Sequence, residues 1–527
     1  MKLKALLLLA LTGTVPVYSY QARTAPTTVV NTQGINLLDD FGRNINTHGI
    51  TLVDWEGEVA NPAIQIYVVP VRPGLVTITA TEPRIYFNNP SMVTGTGPVK
   101  QLTFTDTNPK TFTVSIFPDK SGVDQDYTLT ITTNSGNTIT TQYVNVHVIS
   151  QDQPFRTLDY PITVDFSQDQ SGFFNDPVKR AIAVQSAQDW MYFFDGTGLD
   201  TVPVGAETTS IWDMNTYTTS HKVTNSVAYK GYLLYAYGVV NSTETSGGEG
   251  SYAGRPQTIN GQQLPQRRSG GYEAYINGNY NLLGWSLDTN AEDWWKATNL
   301  GNTINDLMSI SHHEIGHAIC FSTANTTWNK YQTQGYVDDP RVVQYQGNKP
   351  TVDVHSHLAG NVDRQSGKGA FGNEYNGIMP NCRWIMTKLD LLVAQACGYK
   401  LRDTSAFKSL QLTTTSIPNA SANVAYSTTL VATGGIPFYN WTITQGTLPT
   451  GLTIDPFSGI ISGTPTIPGT YTFTVQVEEY DSNTLPVHQT YTINVNGTAK
   501  TLNRRQLRWT FMLTFIGACT NIFYLVR

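Results

Sequence analysis

Three of the chain's nine histidines lie in one short stretch, SHHEIGHAICF, at residues 311–321. Residues four apart lie on one face of an α-helix, so a helix here would present His313 and His317 side by side. Their imidazole nitrogens can then bind one metal ion, each at about 2.0–2.1 Å. Glu314 follows the first histidine and can reach a water beside the metal without being a ligand. The spacing HExxH therefore predicts a metal site with an adjacent carboxylate.

Neighbouring residues of this stretch fit a helix that has one buried face. Ile315 and Ile319 lie on the opposite side of the turn, which indicates that the two histidines face a cleft. His312 lies off the ligand pair and is expected to pack or to support a ligand. A pair of hydrogen-bonded core histidines is the alternative interpretation.

A catalytic zinc ion needs a third protein ligand and an open position for water. One large group of zinc enzymes has its third histidine in HExxHxxGxxH, but this chain reads HEIGHAICFST. The next histidines are His355 and His357 in NKPTVDVHSHLAG. A folded insertion must separate them from the helix, and their spacing alone leaves the choice between them open.

The composition indicates an exported protein that is rich in β-structure. Charged residues make up 14% of the chain and the formal net charge is −6, whereas Thr, Asn, Gly, Tyr and Val are plentiful. No long basic run supplies the positive surface that phosphate binding requires, so no nucleic-acid partner is expected. Residues 1–22 combine two lysines, an apolar run and small residues, which is the layout of a signal peptide. We therefore expect a secreted or cell-surface location.

Residues 25–150 predict a β-sandwich domain. Short alternating runs are separated there by turns rich in Pro, Gly and Asn. The segment DWEGEVANPAI, residues 54–64, stands out by composition and is expected to be a turn that leads into a core strand. The strongest alternating runs are residues 63–69, 75–80, 110–116, 127–132 and 143–149.

Residues 151–405 predict a mixed α and β region. Asp176 and Pro177 form an N-cap and first-turn pair, after which apolar residues recur at helical spacing. A Gly- and Tyr-rich stretch of expected strands and loops follows. Further helices are expected at about residues 291–297, 304–321 and 387–396.

The C-terminal third contains a run that resembles immunoglobulin-like modules of bacterial surface proteins. LPTGLTIDPFSGIISGTPTIPGTYTFTV, residues 448–475, follows their hallmark LPxGLxxDxxxGxxxGTPxxxGxYxFxV. The resemblance implies an immunoglobulin-like β-sandwich at residues 409–497. Such modules usually serve as spacers or adhesive units, so the resemblance implies little about function.

Residues of about 175–399 resemble secreted bacterial metallopeptidases related to leishmanolysin and other metzincins. In that family a Ser-His pair supplies the third ligand after a long insertion, and a methionine turn and a closing helix follow. The matching segments are SHL (356–358), GIMP (377–380) and TKLDLLVAQACGY (387–399). The resemblance implies a central α+β metzincin-like zinc protease domain at 151–405. It also implies Zn²⁺ ligands His313, His317 and His357, with Met379 beneath the site and His355 as the substitute third ligand.

The chain departs from the family pattern at several positions. Leu358 stands where Trp is more common, Pro380-Asn381 stands where Thr-Pro is more common, and no tyrosine lies two residues beyond the methionine. Tyr375 could replace that tyrosine, although an ordinary packing role is favoured. A thermolysin-like site with Glu374 as third ligand is the competing assignment. The Gly and Asn residues around Glu374 favour a turn over the helix that such a ligand requires.

The resemblance implies a multidomain zinc endopeptidase that cleaves extracellular proteins or peptides, with Glu314 as general base and then general acid. The alternative is a surface adhesion or matrix-binding protein whose central domain keeps a protease fold without catalysis. The role of residues 25–150, as a pro-segment or a binding module, stays open. The same holds for cleavage specificity, the oligomeric state and the pairing of Cys320, Cys382 and Cys397.

The hydrophobic tail, residues 504–527, raises the question of membrane attachment. Residues 509–526 are apolar enough for a short membrane span. Arg504, Arg505 and Arg508 would then lie on the exported side, against the usual positive-inside bias. An anchor, a sorting tail and a segment that is not native to the mature protein are all compatible with this pattern.

Overall fold

The protein is multidomain and consists mostly of β-sheet, with few helices. The described residues divide into two compact units, of which the first contains those up to Ser409 together with 434–438, 480–481 and 484. The boundary expected near residue 150 falls inside this unit and stays a prediction. The computed structural model describes residues 35–70, 74–82, 84–88, 100–105, 109–153, 158–212, 220–239, 248–251, 254–275, 285–287, 305–371, 383–481 and 484–497.

Described residues 35–150 form two sheets. Their strand orders are β1-β3-β7-β5 and β2-β9-β8-β4-β6. Buried and exposed side chains alternate along the strands, so the buried ones form the core. In β9, for example, Val144, Val146 and Val148 are buried while Asn145 is exposed. The strands are β1 (Ile35–Leu38), β2 (Ile50–Asp54), β3 (Ile64–Pro70), β4 (Leu75–Ala80), β5 (Ile85–Asn88), β6 (Gln101–Phe104), β7 (Lys110–Ile116), β8 (Gln125–Ser135) and β9 (Thr138–Ser150).

The central region contains a four-stranded sheet of order β10-β15-β19-β16. Strands β10, β15 and β19 run parallel, whereas β16 pairs antiparallel with β19 and lies at the edge. Strand β15 is buried along its whole length, as expected for a strand that is covered on both faces. These strands are β10 (Ile162–Asp165), β15 (Tyr232–Val239), β16 (Gly248–Ser251) and β19 (Ser269–Tyr275).

Short two-stranded ladders surround this sheet. They pair β11 with β14, β12 with β13, β17 with β18 and β20 with β21. Their bounds are β11 (Thr201–Val202), β12 (Thr208–Trp212), β13 (Ser220–Thr224), β14 (Tyr229–Lys230), β17 (Pro256–Ile259), β18 (Gln262–Arg267), β20 (Trp285–Ser286) and β21 (Asn305–Asp306).

Local signals in the sequence define the helix ends. Asp176 caps α1, Asp306 caps α2, and Thr387 forms a capping box with Asp390 at α5. The helix expected at 291–297 lies outside the described residues. The α-helices are α1 (Pro177–Tyr192), α2 (Leu307–Ile319), α3 (Thr326–Gln334), α4 (Pro340–Gln346) and α5 (Lys388–Ala396), with 3-10 turns at Phe173–Asn175 and Ser405–Phe407.

The second unit is built from β-strands around one apolar core. Trp441, Phe473 and Tyr491 are the largest side chains of that core. Gly459 adopts a φ of 70°, and a Cβ there would lie 2.7 Å from the Trp441 ring, which explains the glycine at this turn. The strands are β22 (Gln411–Leu412), β23 (Ala420–Ser421), β24 (Tyr426–Thr429), β25 (Ala432–Thr433), β26 (Asn440–Gly446), β27 (Leu452–Ile454), β28 (Ile460–Gly463), β29 (Gly469–Glu478) and β30 (Val487–Asn496).

The strands of the second unit form a four-stranded sheet of order β23-β30-β29-β26, a three-stranded sheet of order β24-β28-β27 and the pair β22-β25. Among the described residues of the whole chain, no helix has the length and apolarity to cross a membrane. The hydrophobic tail at 504–527 lies outside the described residues, so the question of its membrane attachment stays open.

Candidate metal centre

Helix α2 places His313 and His317 next to each other. Their ring centroids are 5.0 Å apart, as the four-residue spacing predicts. Ile315 and Ile319 are fully buried on the other side of the helix. The Asp306 carboxylate caps the helix by accepting from the Ser309 amide at 3.1 Å.

His357 joins this pair from a distant part of the chain. Its ring centroid lies 5.3 Å from that of His313 and 5.1 Å from that of His317. One ligand atom from each of the three histidines lies within 4.8 Å of the others. His355 is exposed and does not belong to this group, and its ring centroid lies 6.5 Å from that of His357.

The distance between two of the imidazole nitrogen atoms fits binding to one shared metal ion. The Nε2 atoms of His317 and His357 lie 3.2 Å apart. Two ligands at about 2.0–2.1 Å from a tetrahedral zinc ion would lie about 3.3 Å apart, which is close to this value. The three imidazoles therefore suit Zn²⁺ both in donor type and in spacing.

Hydrogen bonds on the far side of two rings orient these nitrogens. The Nδ1 atom of His317 lies 2.7 Å from the Phe321 carbonyl oxygen, and the Nδ1 atom of His357 lies 3.2 Å from Asp353 Oδ2. Both partners are acceptors, so each ring donates through Nδ1 and keeps the Nε2 lone pair for a metal. Asp353 also accepts from the His357 backbone amide at 2.9 Å, which holds the segment that carries the ring.

Burial keeps the imidazoles of His313 and His317 neutral. Burial, and then the neighbouring imidazoles, lower the pKa of His313 well below its ordinary value. The same causes lower the pKa of His317 to about 3, and its bond to Phe321 only partly offsets them. At neutral pH both rings therefore have a free lone pair, which metal binding requires.

Glu314 follows His313 in the chain and is largely buried. Burial, and then the negative charges of Glu249 and Glu273, raise the pKa of its carboxyl well above the ordinary value, while a hydrogen bond from the Gly250 amide lowers it. Glu249 and Glu273 are cross-strand partners on β16 and β19. The Glu249 carboxylate accepts from the Tyr275 hydroxyl at 2.8 Å, and Glu273 accepts from Tyr237.

Phe371 packs against α2 beside the histidines. Its ring stacks on the His313 ring at a centroid distance of 4.9 Å and on the Phe321 ring at 4.1 Å. Gly316 makes this approach possible, because a Cβ there would lie against the Phe371 ring. Sequence reasoning missed Phe371, which is an isolated aromatic in a glycine-rich stretch and carries no local signal. Met379, which the family resemblance places beneath the site, lies outside the described residues, as do Glu374 and Tyr375.

His312 has the supporting position that its place in the stretch indicated. Its Nε2 atom lies 2.9 Å from Asp189 Oδ2 on α1, and its Nδ1 atom lies 3.3 Å from the Trp384 carbonyl oxygen. The Trp190 indole also donates to the His312 carbonyl at 2.8 Å. Helix α1 therefore supports α2 directly behind the ligand pair.

The closing helix α5 meets the end of α2. The Tyr399 hydroxyl, just beyond α5, donates to the Ile319 carbonyl at 2.8 Å. Cys320 and Cys397, at the C-caps of α2 and α5, are both buried and are free thiols. Cys382 lies outside the described residues, so the pairing question stays open for it.

A second group with metal-like spacing consists of Asp54, Asp119 and Asp152. The Arg84 guanidinium contacts Asp54 and lies 2.6 Å from Asp119 Oδ2. A buried cation therefore already stands among these carboxylates, and we interpret the group as an ion-pair network.

Strand β16 passes very close to α2 because of its glycines. A Cβ at Gly250 would lie 2.7 Å from His317 Cβ and would press on the Glu314 carbonyl. We expect Gly250→Ala to lower the free energy of unfolding by about 1–3 kcal/mol, because crowding displaces the strand or the helix. We also expect its zinc affinity to fall, measured by competition with a chelating dye.

Gly205→Ala is the matched control for this substitution. Gly205 has a φ of 75° and open space around it, so alanine there adds backbone strain without crowding the site. Its zinc affinity should equal that of the wild type. Unchanged stability and zinc affinity in Gly250→Ala would contradict the close packing of β16 against α2.

Residues 408–496 match the family model described as "Putative Ig domain". This part of the chain is an immunoglobulin-like domain. The sequence expectation for residues 409–497 is therefore confirmed. No curated protein matches the chain.

Solved structures resemble the chain only weakly. A structure titled as a putative alpha-galactosidase from Bacteroides fragilis has 25% identity over 17% of this chain and 18% of its own, with a TM-score of 0.15. An endo-fucoidan hydrolase of glycoside hydrolase family 107 has 12% identity over 85% and 43%, with a TM-score of 0.15. The CooA pilin subunit from enterotoxigenic Escherichia coli has 13% identity over 23% and 100%, with a TM-score of 0.17. Likenesses this weak carry no argument about function.

Proposed function

We propose that this protein is a secreted or cell-surface zinc endopeptidase that hydrolyses peptide bonds of extracellular proteins. The observation that carries the proposal is the convergence of His313, His317 and His357, whose ligand atoms lie within 4.8 Å of one another. Three imidazoles with an adjacent glutamate form the donor set of a catalytic zinc site rather than of a closed structural one.

The chemistry divides between the ion and the side chains. Zn²⁺ bound to three imidazoles would lower the pKa of a water to about 7 and would polarise a substrate carbonyl. Glu314 accepts the proton of the attacking water and later returns it to the leaving amine. Asp353 and the Phe321 carbonyl hold two of the rings in the tautomer that leaves Nε2 free.

The surroundings of the site support a polypeptide substrate. Strand β16 is the edge strand of the central sheet and packs against α2. An extended peptide that ran alongside β16 would therefore lie next to the helix that carries His313 and His317. The metzincin resemblance implies a closing helix after the third histidine, and α5 follows His357 in the chain. We therefore propose a metzincin-like arrangement for the central region.

A surface adhesion or matrix-binding protein with a non-catalytic protease-like region is the second candidate. The immunoglobulin-like domain at residues 408–496 favours it, because such modules commonly serve as spacers or adhesive units. The position of Glu314 argues against it, since adhesion has no need for a buried carboxylate beside three imidazoles.

Metal analysis combined with a casein digestion assay tests the proposal. We expect about one zinc ion per chain, loss of cleavage after treatment with a chelator, and recovery after Zn²⁺ is added back. A serine-protease inhibitor serves as the control and should have no effect. Protein that binds no zinc and cleaves no casein would exclude the zinc endopeptidase and favour the adhesion protein. Cleavage that resists the chelator would exclude zinc as the catalytic group.

A further inference from the structure

The segment that links β2 to β3 lies against the metal-binding region of the first unit. Val59 forms a parallel bridge with Met386, and the Ala60 amide donates to the Met386 carbonyl at 2.9 Å. The Ala63 amide donates to the Gln365 carbonyl at 2.7 Å. Val59 and Ala60 are buried, so this segment is an inner part of the unit. It is the same DWEGEVANPAI segment whose composition stood out.

A lysine between β7 and β8 reaches the helix that supports α2. Lys120 Nζ lies 3.1 Å from Asp189 Oδ1 on α1 and 3.5 Å from Glu58 Oε1 of the linking segment. The Lys120 side chain is half exposed, whereas the Asp189 side chain is 4% exposed. The N-terminal sheets therefore supply a cation to a carboxylate that is buried beside the metal-binding helix.

Asp189 also contacts a residue of α2. Its second oxygen, Oδ2, lies 2.9 Å from His312 Nε2. Both ring nitrogens of His312 face acceptors, and the contact with Asp189 is the shorter one, so the ring donates to Asp189. Burial by itself raises the pKa of the Asp189 carboxyl, but the Lys120 charge and the hydrogen bond from His312 together lower it. Asp189 is therefore a stable anion, whose Oδ1 contacts Lys120 and Gln185 and whose Oδ2 contacts His312.

We infer that Lys120 and Asp189 are positioning residues for the metal-binding helix, and that the N-terminal sheets are a permanent part of the catalytic unit rather than a removable inhibitory segment. The inference rests on the proposed function. Removing Lys120 leaves Asp189 buried with one fewer cation, and the His312 ring then loses a fixed partner. Because His312 precedes the ligand His313, a shift of its ring changes the geometry of the metal site.

The experiment measures zinc affinity of the full chain by competition with a chelating dye, beside kcat and KM for a peptide substrate. We expect Lys120→Met to lower zinc affinity and kcat by about 10–100-fold while KM changes little, as for other supporting partners of metal ligands. Lys120→Arg keeps the cation and should stay closer to the wild type than Lys120→Met. Lys222→Met, at an exposed lysine of β13, should match the wild type.

A second measurement needs no substitution. Coupling between two sites is reciprocal, so zinc binding should slow hydrogen–deuterium exchange at residues 55–63 and 117–121 as well as in α2. Wild-type zinc affinity and kcat in Lys120→Met would overturn this inference alone. A variant that fails to fold leaves the exchange experiment to decide, where unchanged exchange at both segments would also overturn it. A wild-type chain that binds no zinc would overturn the proposed function, and this inference with it.

Discussion

Glu314→Gln should abolish most of the peptidase activity while the protein keeps its zinc. The amide has the shape of the carboxylate but cannot accept the proton of the attacking water, so we expect kcat to fall by about 10²–10⁴-fold. Zinc content and the unfolding midpoint should match the wild type, because the proposed ligands are His313, His317 and His357. The measurements are cleavage of a peptide substrate, metal analysis and thermal unfolding.

Glu273→Gln is the control for this prediction. Glu273 is fully buried, influences Glu314 through its charge and is held by the Tyr237 and Ser251 hydroxyls. Burial raises the pKa of the Glu273 carboxyl to about 8, so the substitution changes the charge little at neutral pH and leaves the Glu314 carboxylate in place. We therefore expect kcat to stay within about tenfold of the wild type. Full activity in Glu314→Gln would show that another group takes the proton. Equal losses of kcat in both variants would show that a change to either buried carboxyl group is enough to lower activity, and Glu314 would then not be identified as the proton acceptor.

His357→Ala should lose zinc, whereas His355→Ala should keep it. The His357 side chain provides one of three converging imidazoles, and its loss leaves two ligands on one helix. Changes to mere supporting partners cost about 10–100-fold in metal affinity, so removal of a ligand should cost more than about 100-fold. Competition with a chelating dye measures both affinities.

The comparison with His355 is informative because the two residues are neighbours in the chain. His355 is exposed and lies outside the group, so alanine there should leave zinc affinity and activity unchanged. If His355→Ala also lost zinc, the His355 ring would have to contribute to zinc binding in solution, and the assignment of His357 as the third ligand would be incomplete. Wild-type affinity in His357→Ala would remove the third ligand from the proposal.

Local structure followed closely from local sequence. Asp176 and Pro177 predicted the start of α1, and the structure begins the helix at Pro177 with the Asp176 side chain as its cap. The runs at residues 75–80 and 110–116 match β4 and β7. Both signals operate within a few residues, because a cap bonds the next turn and a strand alternates with a period of two.

The third ligand could not be chosen from local signals. His355 and His357 lie two residues apart in one irregular segment, so the pattern offers both equally. The structure separates them by backbone geometry: Ser356 has a φ of 69°, and Asp353 accepts from the amides of both histidines while it bonds only the His357 ring. The left-handed backbone at Ser356 and the upstream Asp353 carboxylate turn the His357 ring inward, whereas the His355 ring stays exposed.

The supporting contacts were also invisible in the sequence. Phe371, Asp189 and Lys120 carry no motif, and each acts on α2 across a long separation in the chain. Only the packing of the sheets and helices brings them together. The segment at residues 54–64 attracted attention by composition, but its contact with Met386 could not be foreseen.

The sequence by itself determined which face of one helix carries two imidazoles and a carboxylate, because the helical period converts a spacing of four residues into adjacency. It also determined the immunoglobulin-like domain, since closely spaced turn residues specify that fold. The tertiary structure alone decided which distant histidine completes the cluster and which aromatic and charged side chains hold the helix in place. Those choices depend on long-range packing, where many residues of similar chemistry compete and only the folded chain brings one of them within bonding distance.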